Sequence, residues 1–312
     1  MLRSVWICAA LLFVGGIGAD IARAGASTAV RVSTAPTGFW EHWGDGKAEI
    51  DRYRIVQPRY GEARDGEAVW IFVTEDFTAK TNVKSDGGHG DEFPVLKLND
   101  IRSFQTGLYA YSTMTSTFSR LDGGSALGVP VKVSLSVQEW CGHVYEQWAV
   151  EKGTLDRIGH SYFDAEADFS EQIRLPKRAI FADALPVLVR GLTGDLVAPG
   201  GAIDVQLLPR GIDKRLGYVP ELDWLNATVK RSASKQVVEV PAGAFETYRT
   251  TVEVDGAMWM AFEVEVAAPQ RVIAWETASG ERGELMATRR SAYWRESKAA
   301  DEPLWEAMSP SN

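Results

Sequence analysis

The sequence predicts an all-β protein built on a large, curved antiparallel sheet, a half-barrel or a sandwich, with one short helix near the middle. Apolar residues recur with period two along most of the chain. Turn-forming groups such as Asp122-Gly123-Gly124, Lys152-Gly153, Asp255-Gly256 and Ser279-Gly280 interrupt that pattern at short intervals. Strand-like runs follow one another without helices between them, which argues against an alternating α/β fold.

Taken in order, strands are expected near 46–57, 66–77, 94–99, 104–120, 129–150, 155–169, 202–208, 221–232, 235–254, 257–266, 270–277 and 283–295. The stretch 182–192, opened by Asp183 and closed near Gly191, gives the helix signal. The expected organisation is a signal peptide at 1–24, an N-terminal β half at 25–174 and a helical crossover at 175–201. A C-terminal β half at 202–296 and a loosely held tail at 297–312 complete it. The two halves are expected to share one core, since neither looks able to close alone.

The first residues follow the plan of a secretory signal. Arg3 supplies the positive start, residues 5–17 are apolar apart from glycines, and Ala22-Arg23-Ala24 offers the small-x-small pattern cut before Gly25. The apolar run is shorter than the roughly 20 residues that span a bilayer, and no later segment is long enough either. Cleavage would remove Arg3, Arg23 and Asp20, moving the formal charge from −9 to −10. That acidic balance argues against nucleic acid and anionic membranes as partners. Only Cys141 would remain of the two cysteines, so no internal disulfide is expected in an oxidising compartment.

No nucleophile elbow, zincin motif, phosphate-binding loop, dinucleotide fingerprint or EF-hand loop is present. Two stretches stand out instead: Gln138-Glu139-Trp140-Cys141-Gly142-His143 and His160-Ser161-Tyr162-Phe163-Asp164-Ala165-Glu166. With a turn at Lys152-Gly153, paired residue numbers sum to 305, so Tyr145 faces His160, His143 faces Tyr162, Cys141 faces Asp164 and Glu139 faces Glu166. Opposed side chains have Cβ atoms about 4.5–5.5 Å apart, within reach of a shared ligand. Glu139, Cys141, His143, His160, Tyr162, Asp164 and Glu166 are therefore the candidate polar site. Three readings stay open: a thiolate activated by His143, a site for zinc or a similar divalent metal, and a hydrogen-bonded polar face. The reverse face is expected to bury Trp140, Val144 and Phe163, with Gly142 leaving room for the Phe163 ring.

Gly46-Lys47-Ala48-Glu49-Ile50, Arg59-Tyr60-Gly61-Glu62, Val73-Thr74-Glu75-Asp76-Phe77, Met114-Thr115-Ser116-Thr117-Phe118 and Gln138-Glu139-Trp140-Cys141-Gly142-His143 resemble a family of exported bacterial proteins of unestablished function. The resemblance runs over about 39–168. Members are sometimes labelled septum-formation inhibitors, a name shared with cytoplasmic α/β nucleotide pyrophosphatases, and neither the export signal nor the β pattern fits that label. The stretch Val240-Pro241-Ala242-Gly243-Ala244-Phe245 and Ala268-Pro269-Gln270-Arg271-Val272 are similar to envelope β-clam proteins with a half-open sheet. That similarity implies a cradle for an apolar ligand and transfers no catalytic residue.

The leading expectation is thus an exported protein of the periplasm or cell envelope, a non-catalytic β-clam binding module for an apolar or lipid-like ligand. This requires an apolar cavity of at least about 300 Å³. The alternatives are a metal- or cysteine-dependent envelope enzyme using Cys141, His143, His160 and Asp164, and a purely structural partner of another envelope protein. No cofactor is expected, unless the polar face holds zinc.

Overall fold

A computed structural model describes residues 31–308, and the expected signal peptide with its cleavage point before Gly25 lies outside the described residues. In the N-terminal half the strands are β1 (Val32–Thr34), β2 (Ala48–Arg59), β3 (Glu62–Thr78), β4 (Glu92–Thr106), β5 (Tyr109–Arg120), β6 (Asp122–Ala126), β7 (Lys132–Glu139), β8 (Gly142–Glu151), β9 (Thr154–Ser161) and β10 (Phe169–Arg174). The remainder are β11 (Ala179–Phe181), β12 (Ala202–Leu208), β13 (Leu225–Arg231), β14 (Gln236–Val240), β15 (Gly243–Val254), β16 (Ala257–Glu265), β17 (Val272–Thr277) and β18 (Arg282–Ser291). Four short helices accompany them: α1 (Phe39–Trp43), α2 (Leu185–Leu188), α3 (Gly211–Leu216) and α4 (Pro303–Glu306).

The all-β prediction holds. Sixteen strands form a single sheet in the order β10-β9-β8-β7-β5-β4-β3-β2-β18-β17-β16-β15-β13-β12-β11, with β14 added against β15. All its pairs are antiparallel except β11 with β12. The curvature follows from chain geometry. Strands β10 and β11 lie at opposite ends of the order, yet only residues 175–178 connect them. A flat sheet would hold these ends about 67 Å apart at 4.8 Å per strand, whereas five residue steps reach about 17 Å. The sheet must curl almost into a barrel.

Several boundaries differ from the sequence reading. The expected strand 129–150 is two strands, β7 and β8, joined by a tight turn at Trp140-Cys141. Another turn, at Gly107-Leu108, separates β4 from β5, and 94–106 runs without a break. Pro241-Ala242 likewise divides β14 from β15. The helix signal yields a 3₁₀ turn at Ala182–Ala184 followed by α2, with no side-chain cap from Asp183. Helices α1, α3 and α4 were not foreseen. Part of the tail, within the described residues, is held on the sheet. Met308 is buried with Ala48, Ile50, Ile71 and Val73 on the outer face of β2 and β3, and the Arg52 guanidinium lies 4.5 Å from the Trp305 ring. Those outward apolar side chains need cover, and the tail provides it.

The inner face carries one continuous core, shared by both halves. Tyr53, Ile55, Trp70, Phe72, Leu96 and Leu98 meet Phe181, Leu185, Val187 and Leu188 of the crossover, whose helix α2 is buried all round. At its centre Trp70 stacks on Trp275, ring centroids 4.4 Å apart, and both edge onto Tyr53. Gly283 makes that stack fit, because a Cβ there would stand 2.3 Å from the Trp275 ring. Gly283→Ala is accordingly expected to lose about 1–3 kcal/mol in chemical denaturation, the usual cost of overpacking.

Candidate functional site

The hairpin β8–β9 has the expected register. Tyr145 pairs with His160, Glu151 pairs with Thr154, and the residues between follow the same sum. Lys152 and Gly153 both have positive φ, at 50° and 82°, as a two-residue hairpin turn of matching twist requires. Tyr162 extends the register by one residue, its N–H donating to the His143 carbonyl at 3.1 Å. His143, Tyr145 and His160 are exposed on one face, while Val144, Glu146 and Trp148 are buried on the other.

Beyond Tyr162 the predicted pairing fails. Cys141 sits in the β7–β8 turn and Asp164 and Glu166 in a 3₁₀ turn, so no strand pair sets Cys141 against Asp164 or Glu139 against Glu166. The strand path is broken because Glu139 turns the chain: its carboxylate accepts the Cys141 N–H at 2.8 Å. Glu166 accepts from Arg215 at 2.9 Å and from Ser161 at 3.2 Å, and His160 Nδ1 lies 3.3 Å from Asp168. The ring over Gly142 belongs to Tyr162, whose nearest atom would stand 2.5 Å from an added Cβ, and Trp140 is exposed instead of buried. Phe163 does pack against the core.

This geometry accounts for the Gln-Glu-Trp-Cys-Gly-His stretch residue by residue. Glu139 caps the turn, Trp140 and Cys141 form its tip, Gly142 clears the Tyr162 ring and His143 points outward. The hydrogen bond with Glu139 and its negative charge raise the pKa of the Cys141 thiol, the opposite of what a nucleophile needs. Among the described residues no group of three or more His, Cys, Asp or Glu side chains stands close enough to hold a metal ion.

The turn at Trp140-Cys141 belongs to a larger feature. The β2–β3 turn at Tyr60-Gly61, the β4–β5 turn at Gly107-Leu108, the β7–β8 turn and Tyr162 after β9 all lie at the same end of the sheet. Each presents a large side chain to solvent: Leu108 is 82% exposed, Trp140 73%, Tyr162 72% and Tyr60 57%. Behind Leu108, the Tyr60 hydroxyl lies 2.8 Å from that of Tyr111 and 3.1 Å from that of Tyr109. Arg59 donates to the Tyr111 hydroxyl at 3.0 Å and to the Leu216 carbonyl at 2.9 Å, with its guanidinium 4.2 Å from the Tyr60 ring. Sequence reasoning quoted Arg59 and Tyr60 only within a family motif, gave them no site role, and missed Leu108. The Tyr-Gly and Gly-Leu pairs were the available signal, but only the pairing shows that these turns stand side by side.

Among the described residues, an interior cavity beside Trp70, Leu98, Arg102, Thr115 and Met260 measures about 20 Å³, room for about one water and far short of an apolar ligand. The clam cradle expected from sequence is filled by the crossover, whose apolar side chains occupy the concave face. A wider groove of about 460 Å³ runs past Lys177, Arg178, Asp204 and Gln206 near the opposite sheet edge. Its polar groups largely satisfy one another, with Gln206 bonded to Asn226 and Thr228 to Asp204.

No family model matches the chain, and no curated protein does. Among solved structures the chain is similar to a β-barrel-like protein of a domain of unknown function, DUF1849, from Brucella abortus. The two share a TM-score of 0.41 and 10% identity, over 84% of this chain and 99% of that one.

Proposed function

We propose that this chain is an exported, non-catalytic binding module of the cell envelope that works through its rim of turns. The observation that carries this reading is the row of exposed Tyr60, Leu108, Trp140 and Tyr162 on adjacent turns. Single exposed apolar residues are ordinary, but a row of them at one end of the sheet, on neighbouring turns, points to a contact surface. The apolar partner expected from the sequence therefore meets the outside of the molecule, since the packed interior leaves it no room. Export rests on the signal-like residues 1–24, and N-terminal sequencing of the secreted form is expected to begin at or near Gly25.

A photo-crosslinking residue placed at Leu108 or Trp140 in cells tests the rim directly. Adducts are expected at these two positions and not at Glu171 or Lys230, which are exposed away from the rim. Equal labelling at all four positions would remove the rim reading.

A further inference from the structure

We infer that the rim docks on the headgroup layer of a zwitterionic phospholipid surface, an inference that rests on the rim reading above. The first support is the set of groups gathered at the rim. Leu108 and Tyr60 stand exposed at the turns, and the hydroxyls of Tyr60, Tyr109 and Tyr111 are linked to one another. The half-buried Arg59 guanidinium is bonded to Tyr111, which is itself buried. A bilayer interface likewise places apolar groups beside hydrated hydroxyls and phosphate, and Trp and Tyr are the side chains that settle there.

The second support is charge. Among the described residues Arg59 has no carboxylate partner, its donors going to tyrosine hydroxyls and a backbone carbonyl. Two turns along, Trp140 is flanked by the carboxylate of Glu139, and Tyr162 by that of Asp164. A lone cation beside unneutralised carboxylates complements a headgroup holding both phosphate and ammonium. A purely anionic surface would meet those carboxylates and a chain of formal charge −9, and would be repelled. The third support is shape. From β2 to β9 the rim crosses six interstrand gaps, about 29 Å at 4.8 Å each, a line of separate tips suited to a soft plane.

Flotation of the mature chain with vesicles tests the inference, using phosphatidylcholine and phosphatidylethanolamine alone or with added phosphatidylglycerol. The wild type is expected to float with the zwitterionic vesicles, and less as phosphatidylglycerol is added at low salt. The double variant Leu108→Ser, Trp140→Ser is expected to lose about thirtyfold in affinity, given the apolar area withdrawn from water. Trp140→Phe is expected to keep most of the binding, and matching thermal melts of the variants would show that folding is unchanged. Failure of the wild type to float, equal flotation of the double variant, or a preference for anionic vesicles would overturn the inference. If flotation fails while the rim crosslinks to a protein in cells, the lipid assignment falls and the rim reading stands. If neither occurs, both fall.

Discussion

Replacing Arg210 by leucine is expected to cost about 3–5 kcal/mol at neutral pH, the usual loss when one partner of a buried ion network is removed. Arg210 is buried and bonds in two directions. Its Nε and Nη2 donate to Asp213 at 3.1 and 2.5 Å, and Nη1 and Nη2 reach Glu281 at 3.0 and 2.9 Å. Arg102 supports the same Glu281 at 2.9 Å, and the Trp275 indole donates to it at 2.9 Å. Burial alone would raise the Glu281 pKa, but the charges of Arg102 and Arg210 win and hold it far below the ordinary range. The sign of the pH effect follows. A carboxyl with depressed folded pKa contributes stability that is complete above its unfolded value, near 4.5, and is lost as pH falls below it. Without Arg210 part of that contribution is absent. The gap between variant and wild type in urea denaturation is therefore expected to be full at neutral pH and to narrow on acidification. A gap that stays constant from pH 7 to the acid limit would show that packing, and not charge, is the cause.

A second buried cluster, at β2, predicts effects of opposite sign for two neighbours. Glu49 and Asp51 are both fully buried on one face of the strand, and Arg190 stands 2.7 Å from Glu49. Burial and the Glu49 charge together push the Asp51 pKa well above its ordinary value, against the pull of Arg190. Burial thus favours the protonated form of Asp51, which accepts a hydrogen bond from Thr288 at 2.8 Å. Arg190→Leu is expected to cost about 3–5 kcal/mol by removing the guanidinium that compensates buried Glu49, with only His42, 3.9 Å away, left beside it. Asp51→Asn is expected to stabilise. A raised carboxyl pKa means stability that is complete below the unfolded value, 3.8, and lost as pH rises toward the folded one. The asparagine carries no such loss, so its advantage should grow as pH rises above the unfolded value of 3.8. Melting curves at several pH values read both variants, and an Asp51→Asn protein weaker than wild type at pH 8 would contradict the protonation assignment.

Much of this architecture was legible because its signals are local. Lys152-Gly153 and Asp255-Gly256 mark their turns, since both residues of each pair adopt positive φ, where glycine is favoured. The Trp140-Cys141 turn hides in the sequence because neither residue has positive φ and a side chain, Glu139, supplies the missing constraint. One undetected turn was enough to displace Cys141 from Asp164 and dissolve half the candidate site. The crossover at 175–201 could be placed but not understood as filler for the concave face. The interior charges were equally invisible: nothing local in the sequence marks Arg102, Arg210 and Glu281 as partners before the fold brings them within bonding distance.

The seam between β2 and β18 also governs how the chain must assemble. Ser291 pairs with Ala48 and Arg282 with Val56, contacts that close loops of more than two hundred residues. Within the large sheet, every other antiparallel neighbour in the N-terminal half follows its partner closely in sequence and can form early. The outer edge of β2 therefore has to wait, its amides and carbonyls unpaired, until nearly the whole chain has been synthesised. Pairings of such range give little return before the loop is closed, so folding is expected to be slow for a domain of this size. Throughout that interval β2 is the strand most open to pairing with another chain.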